Sequence, residues 1–460
     1  MQHLRKALKT TAAARSRCAS MFGNLYEIGP QVVAPTLELL PWRGAWNRIF
    51  GLLFIDQPIG TGFSISGQRR IPLEEMGVAT DLYLGLQSFY ETHAYLARRP
   101  LIIAGESYAG KYVPSIGHFI LQVSQQLGGA RGRNSHLEHQ RTLPEEALQA
   151  GKPRFHLAGL AIGDGLTHPE LQVLVHGDAA HYAGVIDIKE QTKAMQIQLD
   201  IVQLIDAGLW ASAHARREAL LDYITRAGGL ATLMDYRRTH DYDSDKLVDK
   251  YLNQPEVKDA LGAAQHVRFE SCSDHIGAIL GPDVMKSVMF LLPDILKSVP
   301  LLLYQGQFDL LDGPPACERW LGELIWSGAA AFSAASRQVW RVQESPAFLN
   351  ATWQPGSHAT SLHMESPCCE AGAASNSFDQ QHVEGSWSQE SEACNALTAN
   401  LLSTHGPVAG YWKKADSLTH VILKNSGHMV PRDQPGNALA MIEAWALDAL
   451  QWQSMQPAAH

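Results

Sequence analysis

Five short apolar runs, at 49–55, 101–104, 155–162, 299–304 and 418–423, each lead into a turn carrying Gly, Asp or Asn. Runs of this length bounded by turn residues read as buried strands. Apolar positions at helical spacing fill the intervals, most clearly over 112–127 and in a closing amphipathic stretch at 437–451. Strand and helix patterns in alternation predict an α/β chain with a mostly parallel sheet and helices on both faces. The stretch 171–250 breaks the alternation. It has no strand-like run, and helical spacing recurs over 195–210 and 217–223, so a helical insertion is expected there. It would divide an α/β core into 18–170 and 251–460. Two further stretches, 128–153 and 329–405, are rich in Gly, Ser, Ala, Arg or Gln with little period, and read as loosely ordered insertions.

Candidate chemistry enters where the second run ends. Gly105-Glu106-Ser107-Tyr108-Ala109-Gly110 lies between a strand pattern and a helix pattern, the context of a nucleophile elbow. Such a turn strains the serine and lifts its hydroxyl clear of the sheet. A serine nucleophile needs a base, and the base needs an orienting carboxylate. Elbow enzymes carry these in the order Ser, Asp or Glu, His. Asp309 follows the run at 299–304, and His428 follows the run at 418–423. Both therefore fall just beyond carboxyl strand ends, where open parallel sheets hold their sites. Taken singly, Ser107 reads as a helix cap, Asp309 as a turn cap and His428 as one of 20 histidines. Their order and common context favour a catalytic triad.

The motifs around these residues resemble the serine carboxypeptidase family. Asp56-Gln57-Pro58-Ile59-Gly60-Thr61-Gly62-Phe63-Ser64 is similar to the family's D-x-P-x-G-x-G-F-S segment, and the elbow through Tyr112-Val113-Pro114 to its G-E-S-Y-A-G-x-Y-[VI]-P segment. Ile162-Gly163-Asp164-Gly165, Tyr251-Leu252-Asn253-Gln254-Pro255-Glu256-Val257 and Gly427-His428-Met429-Val430-Pro431 resemble three more family segments. The wording is nearest to vitellogenic-like and plant members, and together the motifs span most of 18–450. The resemblance implies an α/β-hydrolase fold with a helical cap at 171–250. It also implies a peptidase that removes the C-terminal residue of peptides at acidic pH, with no metal or organic cofactor.

By the same resemblance Ser107 is the nucleophile, His428 the general base and acid, and Asp309 its orienter. The Tyr108 amide is an oxyanion donor, and Met429 borders the leaving-residue pocket. Glu27, in Cys18-Ala19-Ser20-Met21-Phe22-Gly23-Asn24-Leu25-Tyr26-Glu27-Ile28-Gly29-Pro30, matches the family's partner for Glu106. Two carboxyls held close cannot both ionise cheaply, so a shared proton would let the pair bind a peptide's terminal carboxylate. The bland alternative makes Glu27 an ordinary surface glutamate.

The family text breaks off upstream. Where its members carry W-x-N-G-G-P-G, this chain has Thr11-Ala12-Ala13-Ala14-Arg15-Ser16-Arg17. In the family the glycines of that segment supply a second backbone N–H to the oxyanion, and losing such a donor typically costs about 10²–10³ in turnover. The expectation is a weakly active chain without the family's first strands, its residues 1–17 a wrong start to the gene. Two rivals stay open: acyl transfer from sugar esters by the same triad, and a non-catalytic protective scaffold.

Chain-wide numbers narrow the partners. A net charge of −9 opposes nucleic-acid binding. No stretch approaches the ~20 apolar residues that span a bilayer, and 1–20 lacks the apolar core of a secretory signal. The six cysteines show no C-x-x-C pair. The family resemblance implies disulfides and a secreted, lysosomal or vacuolar setting, with Cys18 and Cys272 near positions the family pairs. Asn350-Ala351-Thr352 is a candidate glycosylation sequon. The expected partner is a peptide C-terminus. Oligomeric state is open, a homodimer being one option.

Overall fold

In a computed structural model of the chain the described residues are 8–12, 19–67, 70–128, 143–243, 246–342 and 406–454, with backbone alone for 8–12 and 451–454. The chain divides into a main unit, 2–340 with 409–460, and a small unit within 341–408 that is nearly all outside the described residues.

Among the described residues eight strands form the central sheet: β1 (Leu8–Ala12), β2 (Gly51–Phe54), β3 (Pro100–Glu106), β4 (His156–Gly163), β5 (Leu301–Gly306), β6 (Gln338–Arg341), β7 (Val408–Ala415) and β8 (Leu418–Leu423). Their order is β2-β1-β3-β4-β5-β8-β7-β6. The pairs from β2 through β8 are parallel, and β7 runs antiparallel to β8. Parallel pairing buries both faces, which explains why β3, β4 and β5 read as near-continuous apolar runs without alternation. The five expected strands are all present.

Helices α1 (Glu75–Thr92) and α2 (Ala109–Leu127) pack with the sheet in one core. On α2, Val113, Ile116, Phe119, Ile120 and Val123 recur at spacings of three and four and are buried. Pro114 sits inside this helix and cannot donate to the Gly110 carbonyl four residues back. The Thr167 hydroxyl donates to that carbonyl instead, at 3.1 Å. Two long helices follow β4, α3 (Ile188–Asp206) and α4 (Trp210–Ala227). The expected patterns at 195–210 and 217–223 miss their boundary, which falls at Gly208, φ 68°. After α5 (Asp274–Val284) the chain enters β5, and α6 (Pro435–Ser454) closes it, close to the expected 437–451.

Three expectations are corrected. Residues 1–17 were assigned no family element, yet Leu8–Ala12 fills the sheet position between β2 and β3. Leu-Lys-Thr-Thr-Ala carries one large apolar residue, too weak a pattern to read as a strand. The stretch 128–153 holds a helix at Glu145–Gln149 with Ala147 fully buried. The stretch expected loose from 329 begins with a helix, Ala329–Ala334, and a strand, Gln338–Arg341. The remainder, 343–405, lies outside the described residues, as do the Asn350 sequon and Cys18, Cys368, Cys369 and Cys394. Cys272 is disulfide-bonded and Cys317 is free and buried. Among the described residues no single helix is long and apolar enough to cross a membrane.

Leu160 on β4 is fully enclosed and meets Gly117 of α2, where an added Cβ would lie 2.5 Å from its Cδ1. Helix and strand meet there with no space to collapse. Leu160→Ala is expected to lower unfolding free energy by about 3 kcal/mol, measured by urea denaturation.

Candidate active site

The elbow is a backbone device. Ser107 has φ 60°, which costs a non-glycine residue about 1–2 kcal/mol, so surrounding bonds must hold it. Its amide donates to the Gly163 carbonyl at 2.8 Å. Its carbonyl accepts from Gly110 at 2.8 Å and Leu166 at 2.9 Å. The loop after β4 thus packs on the first turn of α2. A Cβ on Gly110 would lie 2.5 Å from the Leu166 nitrogen, so only glycine fits this crossing. Tyr108 caps α2, in the turn whose amides lack intrahelical acceptors. Its hydroxyl donates to Asp283 at 3.2 Å, and buried Lys111 pairs with the same carboxylate.

Asp309 and His428 meet as the sequence predicts. The His428 Nδ1–H donates to Asp309 Oδ2 at 2.7 Å, with both side chains fully enclosed. Asp309 Oδ1 accepts from the Leu311 amide at 2.7 Å, and Oδ2 also accepts from Asp312 at 3.2 Å. The loops after β5 and β8 are laced together by amides of Gln307 and Phe308 donating to Leu423 and Ser426 carbonyls, at 3.0 and 2.8 Å. No Cβ fits on Gly306, since it would lie 1.8 Å from the Gly427 carbonyl oxygen.

A third segment, unremarked in the sequence, ties the two loops. Leu233 accepts from the Leu310 amide at 2.9 Å, Met234 accepts from the His428 amide at 2.7 Å, and Tyr236 donates to Phe308 at 3.3 Å. Asp433 Oδ2 then accepts from the Gly427 amide at 2.8 Å and from the Tyr242 hydroxyl at 2.5 Å. Backbone partners leave no signature in side-chain identity, so 233–236 was not legible.

Glu27 and Glu106 also come together. Glu27 sits in the turn Asn24–Ile28, whose position is fixed by the Trp42 indole donating to the Glu27 carbonyl. Both side chains are buried, so Glu27 is no surface glutamate. As carboxylates, the Glu106 oxygens find no donor among the described residues. A proton shared with Glu27 provides one. Burial pushes Glu27 up to about 7, against the pull of His428 and Arg432. Burial, then the charges of Glu27 and Asp309, pushes Glu106 well above the carboxylate range. The proton therefore resides mainly on Glu106.

Asp164, at the end of β4 with φ 41°, carried no assigned role in the sequence. It is fully buried, and its acceptor atoms, with those of Asp309 and His428, lie within 4.8 Å of one another. Three such groups could be ligands, but Asp309 already accepts from two amides and the imidazole. Met429 is buried in an apolar cluster with Phe22, Leu25, Met234 and Tyr242. Of residues 11–17, Thr11 and Ala12 end β1 and the rest lie outside the described residues.

A family profile described as serine carboxypeptidase matches residues 17–448, nearly the whole chain. The chain belongs to the serine carboxypeptidase family. Serine carboxypeptidase-like 50 of Arabidopsis thaliana is 35% identical over 432 residues, covering 94% of this chain and 78% of that protein. The probable serine carboxypeptidase CPVL of Dictyostelium discoideum is 28% identical, covering 92% and 69%, and the venom serine carboxypeptidase of Apis mellifera is 28% identical, covering 94% and 74%. The structure of Kex1Δp, a prohormone-processing carboxypeptidase from Saccharomyces cerevisiae, superposes with a TM-score of 0.70 at 20% identity, over 97% of this chain and 84% of that one. The fold is that of the α/β-hydrolases. This family member carries buried carboxyls on that frame.

Unfolded, all these carboxyls titrate near 4. In the fold Glu27 and Asp312 are raised to about 7 and Glu75 to about 8, each chiefly by burial, and burial also raises Glu106 and Asp164 well above the ordinary carboxylate range. A raised acid stabilises the fold fully below its unfolded value and loses that contribution as pH climbs to its folded value. Buried His176 and His420, lowered to about 3 and 4, act oppositely, but their contribution is constant above pH ~6.5. Tm is therefore expected to fall between pH ~6.5 and ~8 by about 2 °C or more per pH unit. Scanning calorimetry across that range checks it; a flat or rising Tm would contradict the buried protonated acids.

Proposed function

We propose that this chain is a serine-type carboxypeptidase that removes the C-terminal residue of peptides in mildly acidic conditions. The observation that carries the reading is the buried Glu27–Glu106 pair, one member of which immediately precedes Ser107 at the elbow. In the proposed reaction Ser107 Oγ attacks the last peptide carbonyl. His428 takes its proton and returns it to the leaving amine, while Asp309 fixes the Nδ1–H tautomer. The Tyr108 amide and the amino end of α2 face the developing oxyanion. In mild acid Glu27 and Glu106 are both protonated and donate to the peptide's terminal carboxylate, whereas an ionised glutamate there would repel it. Met429 would stiffen the apolar wall behind the departing residue. No group of this scheme needs a metal or organic cofactor. The helical stretch 171–250 would act as the cap over the site. The disulfide at Cys272 fits an oxidising, secretory-pathway compartment.

An alkyl fluorophosphonate is expected to label the chain at Ser107, with labelling and turnover abolished in Ser107→Ala. Turnover of blocked dipeptides should be slow, about 10²–10³ below a member with two oxyanion donors. Peptide mapping locates the label. An unlabelled, folded chain would favour a scaffold, and transfer from a glucose ester in preference to peptide hydrolysis would favour acyl transfer.

The pH profile tests the carboxyl pair. With Glu27 near 7, it is Glu27 that ionises as pH rises through neutrality while Glu106 keeps its proton, and the new charge opposes a carboxylate ligand, so kcat/KM should fall there. Glu106→Gln and Glu27→Gln keep a donor at any pH, and each should hold kcat/KM to about one pH unit higher. Identical profiles in wild type and both variants would remove the pair from substrate binding.

A further inference from the structure

Asp164 stands where no solvent reaches, at the carboxyl end of the strand beside the one that delivers Asp309. Its Oδ1 accepts from the Gly306 amide at 2.9 Å. Its Oδ2 has no hydrogen-bond partner among the described residues as long as the group is ionised. Asp309 lies against it, within the same 4.8 Å cluster as His428. Two carboxylates this close cannot both be charged without a cation, so one proton belongs to the pair. The donors decide which holds it. Asp309 accepts from two backbone amides and one imidazole N–H, whereas Asp164 accepts from one amide. The anion belongs where three donors converge.

We propose that Asp164 is a positioning residue: its carboxyl remains neutral and donates from Oδ2 to Asp309, which stays the sole anion behind His428. The inference rests on the peptidase reading for its kinetic consequence but not for its proton placement. The groups that face it are consistent with a neutral carboxyl. Glu106 ends β3, Tyr304 lies on β5, Asp309 follows it, and Cys317 lies on Pro314–Leu321; none of these is a cation, His428 is the group of the cluster that can become one, and Arg217 lies beyond, against Asp312 at 3.8 Å. Burial foremost, then Asp309 and Glu106, raises Asp164 well above an ordinary aspartate. The positive φ of 41° suits Asp, Asn or Gly and little else.

That backbone chooses the test variants. Asp164→Asn keeps a neutral donor and the left-handed turn, and Asp164→Gly keeps the turn without the donor. The His428 imidazole is titrated by NMR in the full chain, and kcat and KM are measured on a blocked dipeptide. In Asp164→Asn the His428 midpoint is expected within about 0.3 pH units of wild type and kcat within about threefold. In Asp164→Gly, Asp309 loses a donor and holds the imidazolium harder, so the midpoint should rise by about half a unit or more. In that variant kcat should fall about 10–100-fold at little-changed KM. A midpoint lowered by about one unit or more in Asp164→Asn would mean that an anion had been removed, and would overturn the proposal. So would an Asp164→Gly enzyme matching wild type in both measurements. If Asp164→Gly does not fold, the Asn midpoint alone decides. Should the chain hydrolyse no peptide, the peptidase reading fails while the titration still reports where the proton lies.

Discussion

Glu27 neighbours Glu106, Glu106 neighbours Asp164 and Asp309, and the last two cluster with the His428 imidazole; four buried carboxyls in that setting cannot all ionise. Everything distinctive in this molecule follows from how the charge is shared. Amides of Leu311 and Asp312 and the His428 ring all donate to Asp309. Glu106 and Asp164 have fewer donors and hold protons. The arrangement leaves one anion beside the base and neutral acids at its flanks. It suits a site proposed to receive a carboxylate.

Such a cluster survives because backbone, not side chains, sets its dimensions. Three loops arrive from non-adjacent parts of the chain and are laced by main-chain hydrogen bonds: 306–310 with 423–427, and both with 233–236. Close contacts exclude both solvent and side-chain bulk, as at Gly306 against the Gly427 carbonyl. Asp433 and Tyr242 pin the histidine loop from outside. Removing a tie would admit water, and water would relieve the electrostatic conflict that fixes the proton positions.

A second buried group, Lys111 with Asp283, Glu75 and Tyr108, lies behind the elbow. Lys111 is fully enclosed and paired with Asp283, while Glu75 beside them is pushed to about 8 by burial. Breaking such a pair leaves a charge stranded in the interior, which is strongly destabilising. The pair anchors Tyr108, whose amide is the proposed oxyanion donor, to the carboxyl-terminal end of α5.

The sequence by itself determined the sheet-and-helix alternation, the five apolar strands, the elbow at Ser107, and Asp309 and His428 as the residues following two strand ends. Each rests on local information: run length, turn residues and order along the chain. It also named Glu27 and Glu106 as partners, through resemblance, and their burial agrees. It missed β1, β6 and β7, since Leu8–Ala12 carries one large apolar residue, and the other two border stretches of weak period. Only tertiary structure decided the rest. The tie at 233–236 works through backbone groups that every residue possesses, so no residue type announces it. Asp164 looked like one more turn residue until folding set its carboxyl against Asp309. Whether a carboxyl is charged depends on which donors and acids surround it, and these come from residues more than a hundred positions apart.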